Sequence, residues 1–169
     1  MKKILYAIFM ASKNDESWVN GCKTFEMLDE VLPEQWLLVN ASADRDGEVI
    51  RVCCGRLVEL GVLVVTFCAG LHPVIGRVGA AAFKGTLTTT MCVPEERSEV
   101  TSMLWAPEGI ALTCPGWGKR GVFNGSVDAC KRLGLIDRGV ASRLDDYLGK
   151  LNAGKQPQFD IRGALKEKE

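Results

Sequence analysis

Uninterrupted apolar runs alternate along the chain with stretches whose apolar residues recur at helical spacing. Residues 3–10 (KILYAIFM), 35–40 (QWLLVN), 62–69 (VLVVTFCA), 86–93 (TLTTTMCV) and 109–115 (GIALTCP) read as strands. The stretch 17–32 carries Val19, Cys22, Phe25, Met27, Leu28 and Val31 on one helical face. Residues 47–61 read as a second helix, with Gly61 placed to end it, and 78–85 as a short helix of small residues. Residues 121–135 and 137–154 predict two closing helices. Strands that are apolar on both faces are buried on both faces, so helices must cover each side of a parallel sheet. The pattern therefore predicts an α/β fold: a doubly wound, five-stranded parallel sheet in a flavodoxin-like three-layer sandwich, closed by C-terminal helices.

The chain of 169 residues fits one such domain, expected over 1–154, with 155–169 as a C-terminal tail. The opening MKKILYAIFMA has the look of a signal peptide, but its apolar run is as well explained by a first strand. No segment approaches the length needed to cross a bilayer, so no membrane association is expected. The 21 basic and 21 acidic residues balance, and no basic stretch calls for nucleic acid. Seven cysteines are scattered without a Cys-x-x-Cys pair, and the single histidine, His72, stands four residues from Cys68. That spacing argues against a metal site, and the apolar neighbours of Cys68 and Cys92 suggest buried, reduced thiols in a cytoplasmic protein.

In a doubly wound sheet, ligands sit at the carboxyl ends of the strands. The loops there are ASKNDES (11–17), ASADRDG (41–47), GLHPVIGR (70–77), PEERSE (94–99) and PGWGKRG (115–121). Ser12 and Asn14 precede a helix, where their oxygens cap free backbone N–H groups or those same groups bind a phosphate. Ser42, Asp44 and Arg45 place a hydroxyl, a carboxylate and a guanidinium together. The plainer reading of that loop is a surface Asp–Arg pair at a helix start. Gly70 and Gly76 would let a ligand approach the backbone beside His72. Lys119 and Arg120 stand where a helix begins, a poor place for cations unless they face solvent, an anion or a neighbouring subunit.

Taken together, the loops resemble the PurE family of phosphoribosylaminoimidazole carboxylases and N5-carboxyaminoimidazole ribonucleotide mutases. The family's Met-Gly-Ser-x-Ser-Asp is similar to Met10, Ala11, Ser12, Lys13, Asn14, Asp15, and its Ser-Ala-His-Arg to Ser42, Ala43, Asp44, Arg45. Its Gly-x-Ala-Ala-His-Leu-Pro-Gly resembles AGLHPVIG (69–76), and its Met-Pro-x-Gly-Ile-Pro-Val resembles APEGIAL (106–112). Its Gly-Lys-x-Gly-Ala-x-Asn is similar to residues Gly118 to Asn124. The matches come in order, over nearly the whole chain.

The resemblance implies that Ser12, Ser42 and Arg45 hold a nucleotide 5′-phosphate and that Asp15 meets the ribose hydroxyls. Asn14 and Ala43 would complete that substrate site, and the backbone of Ala69, Gly70, Leu71 and His72 would border the place where carbon dioxide is made or consumed. It also implies a homo-octamer and chemistry without metal, biotin or nucleotide cofactor. The departures are Ala11 for a glycine, Asn14 for a serine and, above all, Asp44 for the catalytic histidine. The expected activity is that of a lyase handling carbon dioxide on an aminoimidazole ribonucleotide, biased towards decarboxylation, with Asp44 as acid/base and His72 in support. The same residues also fit the family's usual carboxylation or mutase reaction, a nucleotide-binding module without catalysis, or a flavodoxin-like protein for another ligand.

Overall fold

A computed structural model describes residues 3–12, 23–42, 46–69, 74–83, 88–93, 111 and 113–153. Among the described residues, ten elements follow one another: β1 (Tyr6–Met10), α1 (Thr24–Val31), β2 (Trp36–Asn40), α2 (Gly47–Glu59), β3 (Val64–Cys68), α3 (Val74–Ala82), β4 (Thr88–Val93), β5 (Thr113–Trp117), α4 (Gly118–Gly134) and α5 (Arg138–Asn152). The strands form one parallel sheet in the order β2-β1-β3-β4-β5. The chain thus starts in the middle of the sheet, winds to one edge and returns across β1 to build the other.

The apolar runs have the expected physical cause. Tyr6, Ile8 and Met10 of β1, with Val64 and Cys68 of β3, pack beneath α1, α4 and α5. The alternate residues Ala7, Phe9, Val65 and Phe67 pack beneath α2 and α3, with Ile50, Cys54, Leu57, Ile75 and Phe83. Side chains alternate across a strand, so a strand covered on both faces must be apolar at every position. One polar group enters this core in company: the Tyr6 hydroxyl donates to Thr66 Oγ1 at 2.7 Å and lies 3.0 Å from Ser126 Oγ, tying β1, β3 and α4 together.

Gly61 takes φ 81° and ends α2, with the Val62 amide reaching back to the Leu57 carbonyl at 3.0 Å. Several boundaries differ from the sequence reading. Of the predicted first helix, Thr24–Val31 is helical, and residues 17–22 lie outside the described ones. α3 begins at Val74, four residues before the predicted 78, so Gly76 and Arg77 are helical rather than loop. Further along this helix Gly79 serves packing: a Cβ there would fall 2.0 Å from Cζ at the tip of the Phe67 ring. β5 runs from Thr113 to Trp117 rather than ending at Pro115. It is an edge strand, and its register slips against β4 between Thr90 and Cys92, where an extra residue of β5 accommodates the proline.

Candidate functional site

β1, β2 and β3 end level with one another: Met10 pairs with Asn40 on one side and Cys68 on the other. The ladder continues one residue further, since the Ala41 amide donates to the Met10 carbonyl and the Ala11 amide to the Cys68 carbonyl, both at 3.0 Å. Ser12, Ser42 and Ala69 therefore leave three neighbouring strands at the same edge. This is the point at which the chain direction across the sheet reverses, where open α/β sheets have their ligand crevice. Ser12 and Ser42 are half-buried and Ala69 is buried. The other predicted site residues, Asn14, Asp15, Ala43, Asp44, Arg45, Gly70, Leu71 and His72, lie outside the described residues.

The loop carrying Asp44 and Arg45 is anchored at both ends. The Asp46 amide donates to the Ser42 carbonyl at 3.2 Å. Asp46 then caps α2, its Oδ1 accepting from the amides of Glu48 at 2.9 Å and Val49 at 3.4 Å. Sequence reading passed over Asp46, although an aspartate directly before Gly47-Glu48 is a common helix-start signal. The cap has a chemical consequence. The amides of Glu48 and Val49 thus already have an anionic acceptor supplied by the chain itself.

The last loop departs more from expectation. PGWGKRG was read as a connection, but β5 passes straight into α4 between Trp117 and Gly118. The reversal needs Gly116 at φ 139° and Gly118 at φ 62°, backbone angles that L side chains rarely adopt. It also needs Gly121, whose absent Cβ would stand 2.5 Å from the Gly116 carbonyl group. α4 then starts without a side-chain cap and with no acidic residue in its first turn. Lys119 and Arg120 are exposed there.

Two of the thiols are held in their neutral form. Burial pushes Cys54 and Cys130 up to about 12, so both stay protonated at neutral pH. Cys68 is also buried, and Cys114 is exposed on the edge strand. Among the described residues no group of three His, Cys, Asp or Glu side chains could hold a metal ion. No helix among them is long and apolar enough to cross a membrane.

This architecture is similar to that of solved PurE structures. The chain superposes on PurE from Treponema denticola with a TM-score of 0.74 and 21% identity, covering 89% of this chain and 92% of that one. A serine-to-aspartate variant of PurE2 from the same organism gives a TM-score of 0.75 at 20% identity, over 99% of this chain and all of its own length, 100%. At that level of identity the likeness establishes a shared fold. No protein-family model matches the sequence, and no curated protein matches it.

Proposed function

We propose that the chain is a PurE-type enzyme acting on an aminoimidazole ribonucleotide, with decarboxylation of carboxyaminoimidazole ribonucleotide to aminoimidazole ribonucleotide as the favoured direction. One observation carries this reading. The residues that match the family's phosphate and ring-binding motifs, Ser12, Ser42 and Ala69, leave adjacent strands at the reversal point of a sheet that superposes on PurE. In this reading Ser12, Ser42 and Arg45 take the 5′-phosphate, Asn14 and Asp15 the ribose, and Ala43 and residues 69–71 border the ring. Substrate and carbon dioxide are the small-molecule partners, no cofactor takes part, and the assembly is a homo-octamer.

Asp44 sets the direction. Decarboxylation breaks the bond between C4 of the ring and its carboxylate, and the electron pair left on C4 takes up a proton. A free aspartate has a reference pKa of about 3.9 and is a poor proton donor at neutral pH. Beside a substrate carboxylate in a desolvated crevice, repulsion between the two anions drives one to hold a proton. Protonated Asp44 then serves as the acid, and loss of carbon dioxide relieves the repulsion. His72 supports the ring from the neighbouring loop. The replacement of histidine by Asp44 also favours a second reading, a nucleotide-binding protein without turnover.

The test is ultraviolet absorbance of carboxyaminoimidazole ribonucleotide mixed with the protein, with trapped carbon dioxide measured alongside. The expected outcome is conversion by the native chain, with turnover in Asp44→Ala reduced at least about a hundredfold, the scale of a general acid. Full activity in Asp44→Ala removes Asp44 from the mechanism. Binding measured by calorimetry without turnover in the native chain establishes the second reading.

A further inference from the structure

A cavity of about 260 Å³ opens between the start of α1, the start of α4 and the end of α5, lined by Lys23, Lys119, Arg120, Phe123, Asn124 and Leu151. The winding of the chain brings these distant residues to one place. α1 and α4 both start at the carboxyl edge of the sheet, and α5 runs back to it, with the three helices packed together. Arg143 of α5 donates to the Val31 carbonyl at 2.8 Å, and Lys150 pairs with Glu30 at 2.6 Å, both locking α5 onto α1. None of the lining residues belongs to the edge formed by Ser12, Ser42 and Ala69.

The chemistry of the lining is one-sided. Phe123 and Leu151 are half-buried carbon walls, and Asn124 adds a neutral amide. Three cationic residues, Lys23, Lys119 and Arg120, belong to the lining, and no carboxylate accompanies them among the described lining residues. None of the three is in an ion pair among the described residues, whereas Arg51, Arg56, Arg132 and Lys150 all are. Two of them, Lys119 and Arg120, also stand against the positive end of α4, an unfavourable position that an anion would reverse. The volume exceeds the roughly 150 Å³ that accepts a benzene and falls below the roughly 300 Å³ where drug-sized pockets begin.

We propose that this cavity binds a small organic anion with an apolar body: an aromatic or branched acyl group bearing one carboxylate or phosphate. The body sits between Phe123 and Leu151, and the anionic head meets Lys23, Lys119 and Arg120. This assignment is independent of the activity proposed for the β1–β3 edge, because its test reads binding and not turnover.

The experiment is methyl and amide NMR of the full chain, following the Leu151 methyl groups and the Lys119 and Arg120 amides. Benzoate and phenyl phosphate are titrated, with benzyl alcohol and inorganic phosphate as partial ligands. The expected result is saturable shifts with both anions, the tighter one identifying the preferred head group, and much weaker shifts with either partial ligand. Lys119→Ala/Arg120→Ala should weaken the better anion at least about tenfold. Leu151→Trp, which fills the cavity, should remove the saturable shift at the Lys119 amide. The proposal is overturned if neither anion gives a saturable shift, or if benzyl alcohol or inorganic phosphate binds as well as the whole anion. It is equally overturned if raising the protein concentration alone reproduces the Leu151 shifts, since a second copy would then cover the cavity.

Discussion

Helices α2 and α4 both begin at the carboxyl edge of the same sheet, and the chain treats their first turns in opposite ways. At α2, Asp46 accepts from two backbone amides and Glu48 adds a second negative charge in the first turn. At α4 there is no side-chain cap, and the first turn carries Lys119 and Arg120. α5 repeats the α2 solution, with Asp137 accepting from Gly139 at 2.8 Å and Val140 at 3.4 Å. The amides of a helix start attract an anion whatever its source. α2 and α5 draw that anion from their own sequence, so their ends are closed. α4 has no side-chain cap and carries two exposed cations in its first turn. The lesson for reading a sheet edge is that the uncapped helix, more than the glycine-rich loop, indicates where a charge from outside the chain would be welcome.

The junction that leaves α4 open is the most sensitive part of the contrast. With β5 entering α4 directly, no loop residues can absorb a displacement. In Gly121→Val, the added Cβ would meet the Gly116 carbonyl group at 2.5 Å, and both are backbone-bound. A destabilisation of about 3 kcal/mol is expected, the scale of overpacking with no side chain free to yield. The urea midpoint measures it. A loss below about 1 kcal/mol would mean that the turn relaxes easily and that its geometry does not hold the helix start open.

Closing and opening were unequally legible in the sequence. Strands β1 and β3 were read within a few residues because each is covered on both faces and so is apolar throughout. β5 was read too early because its residues from Thr113 to Trp117 are exposed or half-exposed, and a strand that buries little writes little into its pattern. α3 starts earlier than its pattern predicts because Gly76, a residue type typical of loops, is helical here. The strand ends beside Ser12, Ser42 and Ala69 were legible, since Ser12 and Ser42 stand two residues after β1 and β2 and Ala69 directly after β3. Asp46 carried a readable capping signal that the neighbouring Asp44 and Arg45 overshadowed. The cavity was not legible at all. Lys23, Lys119 and Leu151 are brought together by the packing of three helices, and no local pattern marks them as neighbours.

Removing the closed end of the comparison should have a smaller effect than Gly121→Val. Asp46→Ala frees the amides of Glu48 and Val49, and the expected cost is about 1 kcal/mol, read from the thermal or urea midpoint. It also tests how the proposed nucleotide site is built. If the cap keeps α2 from binding phosphate, inorganic phosphate should stabilise Asp46→Ala more than the native chain. Equal stabilisation would show that α2 takes no part in anion binding with or without its cap.

Reversing a charge at the open end gives the smallest and most specific effect. Lys119 is exposed and has no ion pair among the described residues, so its replacement disturbs no partner. In Lys119→Glu, a charge opposed to the α4 amides becomes one that favours them, and a gain of about 0.5 kcal/mol is expected at low salt. The sign matters more than the size. Most surface substitutions are neutral or slightly destabilising, so a gain that fades as salt screens it points to an unanswered positive end. The same substitution should abolish stabilisation by phenyl phosphate, because the variant carries its own anion where the ligand's head group would sit. A loss of stability in Lys119→Glu, with phenyl phosphate acting as before, would mean that the α4 terminus is already satisfied. The contrast between α2 and α4 would then reduce to which part of the protein supplies the anion.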